Sequence, residues 1–151
     1  MHVYLLPALQ SGPVVIERLV RAISPAHYDL ALIADRFTPR EVIAHLADWE
    51  PIMLARMQQA RAQPGSTVMG QDEGEMAIRN GYRASNIDEQ LMHFAAKRME
   101  TIAFVQSLTP DELPRTVVHN ERGAMTLDDQ ANLLVGHDLY HIEQLSAYLT
   151  A

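Results

Sequence analysis

The sequence predicts an all-α fold: a four-helix bundle with long connections, built as one domain from residues 1–151. Three observations point there. Apolar residues recur at helical spacing in four segments, three of those segments open with an N-cap, and no segment alternates clearly enough to read as a strand. The helices are expected to pack antiparallel, with no sheet of three or more strands.

The first helix is expected from about Pro13 to Ser24, with Ile16, Leu19, Val20 and Ile23 on one stripe. Residues from Pro25 to Phe37 read as irregular. The second helix has the clearest start: Thr38 is an N-cap, Pro39 suits the first helical position, and Glu41 completes a capping box. It extends to about Gln63, with a kink or break expected at Pro51, which has no N–H to offer the Ala47 carbonyl. The run from Pro64 to Gly74, with three glycines and a proline, reads as a loop. Asn86, followed by Glu89, caps a third helix that ends near Leu108. Thr109, Pro110 and Glu112 repeat the start signal, but Pro114 cuts it to a turn. Arg115 to Gly123 reads as extended. Thr126 then caps a fourth helix running from Leu127 nearly to the C-terminus.

Composition narrows the function. Hydrophobic residues at 48% and charged residues at 21% describe a globular chain, and 151 residues suffice for a real core. A net charge of -7 argues against nucleic acid and against an anionic membrane surface as partners. No run approaches the length of a membrane helix, and the first ten residues carry no signal-peptide pattern. The protein is therefore expected to be soluble and cytoplasmic. Cysteine is absent, so any metal must be held by histidine and carboxylate.

The stretch Gly136-His137-Asp138-Leu139-Tyr140-His141 is the most informative one. On a helix, His137 and His141 fall on one face, close enough to share a metal ion. They continue the apolar stripe Leu134, His137, His141, Leu145, Tyr148. The second helix carries a comparable stripe of Val42, His45, Trp49 and Ile52. Three histidines from two helices thus point into the bundle, as a bundle metal site requires. The alternative is three core histidines bonded to carbonyls. His137-Asp138-x-x-His141 is also similar in spacing to the zinc-protease His-Glu-x-x-His, but Asp138 is one methylene short and only Glu143 follows as a further ligand.

The stretch from Thr38 to Glu50 (Thr38-Pro39-Arg40-Glu41-Val42-Ile43-Ala44-His45-Leu46-Ala47-Asp48-Trp49-Glu50) resembles the second-helix signature of DinB-like proteins, the DinB/YfiT-like family. Gly136 to Leu145 resembles its last-helix signature. Phe37 stands where the family often has tryptophan. The resemblance implies a four-helix bundle binding one divalent metal through His45, His137 and His141. Zinc or nickel would come first, with iron or manganese as further choices. It also implies a small-molecule substrate, a homodimer, and a metal-dependent enzyme such as a thiol-dependent S-transferase or a hydrolase. A low-molecular-weight thiol such as bacillithiol or mycothiol is then a cosubstrate. A non-catalytic metal-binding or stress-response bundle is the alternative.

Around these histidines, Glu41, Asp48 and Asp138 are candidates to orient the imidazole rings, each against the plainer reading of a solvated helix carboxylate. Glu50 is expected to pair with a nearby cation. Arg98, on the inward stripe of the third helix, reads either as an anchor for an anionic substrate or as a salt-bridged side chain. Gly136 suits close approach of a backbone or substrate. His2, His27 and His93 read as background; His119, in the extended run before the fourth helix, reads as a surface-loop residue, with a place in the pocket lining as the alternative. Met53, Met57 and Met69 read as core or loop filling.

Overall fold

The computed structural model describes residues 1–150. Its helices are α1 (Leu5–Ala22), α2 (Pro39–Ala62), a short α3 (Glu73–Arg79), α4 (Ile87–Gln106) and α5 (Leu127–Ser146). The four long ones form the bundle. Its capped starts act as read. The Thr38 N–H donates to Glu41 Oε2 at 2.9 Å, and the Glu41 N–H to Thr38 Oγ1 at 3.4 Å. Asn86 Oδ1 accepts from the Glu89 N–H, and Thr126 with Asp129 forms a second capping box. Each satisfied cap contributes about 1 kcal/mol.

Helix α1 starts at Leu5, not near Pro13, which lies inside it. Pro13 has no N–H for the Leu9 carbonyl. Arg98, from α4, supplies the missing donor: its Nη1 lies 3.1 Å from that oxygen. No local pattern carries such a signal. Helix α2 likewise runs unbroken through Pro51, whose ring lies on the exposed face.

A small sheet corrects the expectation of none. Strands β1 (Thr67–Val68), β2 (Thr116–His119) and β3 (Gly123–Thr126) lie in the order β1-β2-β3, with β1 parallel and β3 antiparallel to β2. At two to four residues they are too short for a period of two to stand out.

The helix directions also differ from the expected antiparallel core. Arg40 meets Ser85, Glu50 meets Arg98 and Arg61 meets Ser107, so α2 and α4 run parallel. The N-terminus pairs with Asp128, and Gly12 abuts Asp138, so α1 and α5 run parallel too. Antiparallel packing joins α2 to α5, where His45 meets His137 and Gln144 reaches Phe37. A parallel α2–α4 pair forces residues 63–86 to travel back along the bundle. That return brings Glu73 of α3 to the cavities beside the histidines.

The core has two apolar layers. One holds Leu5, Leu9, Met53, Met57, Ile102 and Leu134, the other Ile16, Val20, Val42, Phe94 and Leu145. Between them, at Gly12, Glu50, Arg98 and Asp138, lies a layer of buried charge. None of the described helices is long and apolar enough to cross a membrane.

Candidate metal centre

Helix α2 places His45 opposite His137 and His141 of α5. His137 Nε2 lies 2.9 Å from His45 Nε2 and 3.1 Å from His141 Nε2, and the three ligand atoms all fall within 4.8 Å of one another. Tetrahedral zinc with bonds of about 2.0–2.1 Å sets its nitrogens about 3.3 Å apart. The cluster therefore has the dimensions of three corners of such a site. His45 and His141 are buried and His137 nearly so.

Hydrogen bonding fixes one of the tautomers. The Gln144 amide N–H donates to the Phe37 carbonyl at 2.7 Å, which can only accept. Gln144 Oε1 therefore faces His141 Nδ1 at 3.1 Å, and that nitrogen must carry the proton. The lone pair of His141 Nε2 is left pointing at the other histidines. His45 Nδ1 is buried without a partner among the described residues. Burial holds all three rings neutral, His45 at about 3, His137 at about 2 and His141 at about 4, with the neighbouring imidazoles adding to the effect at His45 and His137. Three converging neutral imidazoles fit a divalent cation, which needs their lone pairs.

The carboxylates proposed as ring-orienting groups do other work. Glu41 is held by the Thr38 backbone and by Arg83. Asp48 accepts from Asn80 Nδ2 at 2.7 Å. Asp138 turns both oxygens to Arg98, at 2.6 and 2.8 Å, which leaves it no protease-like role as general base. Gln144 is the orienting residue that sequence reasoning passed over. Its only signal was its position three residues after His141.

Arg98 is not a substrate anchor, because its donors are already committed. They go to Glu50, Asp138 and the Leu9 carbonyl, and Thr101 Oγ1 donates to the second oxygen of Glu50. Burial opposes the charge, but the hydrogen bonds to Asp138 and Glu50 outweigh it and raise the Arg98 pKa. His119 is buried, not on a surface loop, and its Nδ1 accepts from the Glu121 N–H. Met53 and Met57 fill the core, and Met69 is exposed.

Two cavities flank the triad. One, about 250 Å³, includes Asp35, Arg36, Phe37, Glu73, Tyr140 and His141 in its wall. The other, about 190 Å³, is lined by Trp49, Glu73, Arg122, Leu133, Gly136 and His137. Glu73, the first residue of α3, borders both. A Cβ built on Gly136 meets nothing within 4 Å, so no close backbone contact demands a glycine there.

The same architecture occurs elsewhere. The structure of YfiT from Bacillus subtilis, described as a probable metal-dependent hydrolase with an unusual four-helix bundle topology, superposes with a TM-score of 0.89. The match covers 95% of this chain and 83% of that one at 19% sequence identity. A protein of Oceanobacillus iheyensis, named as a candidate metal-dependent hydrolase, is 22% identical over 139 residues, spanning 92% of this chain and 80% of its own length. The model of the DinB superfamily matches residues 8–145, nearly the whole bundle from α1 to the end of α5, and the chain belongs to that superfamily.

Proposed function

We propose that this chain is a divalent-metal-dependent hydrolase of small molecules, with the metal held by the Nε2 atoms of His45, His137 and His141. The observation that carries the reading is the convergence of three neutral imidazole nitrogens, 2.9 and 3.1 Å apart, between two cavities. A zinc or nickel ion bound by three histidines supplies a Lewis acid with a coordination position to spare. The protein's part is to hold the imidazoles neutral, to aim His141 through Gln144, and to leave room for a substrate on either side. The descriptions of the two relatives support hydrolysis as the reaction class.

The test is metal content and turnover together. Purified wild type should carry about one equivalent of metal, and His45→Ala, His137→Ala and His141→Ala should each lose most of it, since two histidines cannot close the site. Full occupancy in any one variant would overturn the shared site. Metal-loaded protein should hydrolyse members of an ester and amide panel. Turnover confined to thiol adducts would replace hydrolysis with thiol transfer, the chain having no cysteine of its own. Full metal with no turnover on either panel would leave a binding protein.

A further inference from the structure

Arg36 lies in the connection between α1 and α2. The residue before it, Asp35, has φ 62°, the one positive φ outside glycine among the described residues. Asp is among the few side chains that tolerate this conformation, and such residues gather at functional sites. Both residues line the cavity beside His141. The Arg36 guanidinium lies over the Tyr140 ring at 4.8 Å, and that ring is 5.1 Å from His141. A planar cation is thereby held one side chain away from the histidines.

Among the described residues that cation has no acceptor. Arg36 Nη2 is buried and without a hydrogen-bond partner among the described residues, and none of their ion pairs includes Arg36. Its neighbours Arg40 and Arg83 are both paired, to Asp29 and Glu41. In a chain with 19 acidic and 12 basic side chains, a buried guanidinium N–H left without a partner, in a residue that lines a cavity, calls for a ligand. The guanidinium fork matches a carboxylate, which it can grip with two parallel bonds. Asp35 and Glu73 face the same cavity and oppose a multiply charged anion. A third cavity, of about 580 Å³, shares Asp35, Arg36, Phe37 and Gly74 with the one beside His141, giving room for the rest of the molecule.

We infer that Arg36 binds a carboxylate of a singly anionic substrate whose reacting group enters the metal centre past His141. The inference rests on the metal reading above and names the substrate class for that site.

Cobalt-loaded protein tests it, with 3-mercaptopropionate and its uncharged counterpart 3-mercaptopropan-1-ol as probes and the thiolate-to-cobalt absorption band as readout. Wild type should bind the carboxylate probe at least about tenfold more tightly, a typical effect of one charge-assisted contact. Arg36→Gln should bring the ratio near one, Arg36→Lys should restore part of it, and Arg21→Gln, on the exposed surface of α1, should leave it intact. Acetate should compete with the carboxylate probe better than inorganic phosphate does. A wild-type ratio near one, a ratio unchanged by Arg36→Gln, or phosphate competing as well as acetate would overturn the assignment. If cobalt binds and neither thiol alters the spectrum, the Arg36 assignment fails while the metal site stands. If cobalt does not bind, the metal reading fails and takes the assignment with it.

Discussion

At the histidine cluster a single residue decides how a ring is presented. Gln144 is held at both ends, by the Phe37 carbonyl and by His141 Nδ1, so it sets the tautomer as well as the ring orientation. Gln144→Leu should lower metal affinity about 10- to 100-fold while leaving the fold in place, the usual effect of losing such a partner. Competition with a chromophoric chelator measures this, and an unchanged affinity would remove Gln144 from the site. Burial of three neutral imidazoles has a second consequence, for the metal-free protein. Their folded pKa values of about 3, 2 and 4 lie below the ordinary histidine value of 6.5. Above pH 6.5 neither state is protonated and the histidines do not affect stability. Below it the unfolded chain gains protons that the folded chain refuses, so stability falls as pH drops toward the folded values. With three such groups the slope reaches at most about 4 kcal/mol per pH unit. Urea midpoints measured from pH 7.5 to 5 should therefore fall steeply, well before carboxylates held low by their partners, such as Asp29 and Asp129, begin to titrate. A flat profile over that range would mean the rings are not buried as neutral groups.

At the scale of elements, two glycines on two helices should answer the same substitution in opposite ways. A Cβ on Gly12 of α1 would stand 2.0 Å from Asp138 Oδ2 and 3.1 Å from Arg98 Nη1, inside the buried charge layer. Gly12→Ala should cost about 1–3 kcal/mol, because the groups it meets are held by hydrogen bonds and cannot swing away. Gly136 of α5 is exposed and its Cβ would enter open space. Gly136→Ala should stabilise by about 0.5–1 kcal/mol through helix propensity alone. Thermal unfolding of the two variants gives the signs, and the same sign in both would contradict these packing distances. The contrast also marks what the sequence reveals. Gly136, beside two histidines, draws attention there, and Gly12 does not, since only the fold brings Asp138 against it. The capped starts of α2, α4 and α5 are legible because capping is local. The true start of α1 is hidden because the donor that makes Pro13 tolerable comes from α4. The histidine triad is legible because helical periodicity alone turns all three rings inward. The parallel pairing of α2 with α4 is not, since it depends on the path of residues 63–86 and on short strands formed by segments distant in sequence.

Across the whole molecule, one cluster joins all four bundle helices. Arg98 of α4 binds Glu50 of α2, Asp138 of α5 and the Leu9 carbonyl of α1, between the two apolar layers. Glu50 follows His45 on α2, and Asp138 adjoins His137, so the same contacts fix the register of the helices that carry the triad. Each ion is almost wholly buried, with Arg98 1% exposed and Glu50 2%. Removing the cation alone leaves two carboxylates in the core without a counter-charge. Arg98→Met should therefore cost about 3–5 kcal/mol. The desolvation cost of the cluster is also large, so replacing all its charges together is a different experiment. In the Glu50→Gln, Arg98→Met, Asp138→Asn combination no uncompensated ion remains, and much of the lost stability should return. If the cluster's work is register, the metal affinity of the triple variant should stay below wild type even where its stability recovers. Urea unfolding at pH 7 and metal titration of the same samples separate the two quantities. A cost under about 1 kcal/mol for Arg98→Met would show that the guanidinium is not holding buried charge. Recovery of stability together with wild-type metal affinity would show that the apolar layers alone set the position of α2 against α5.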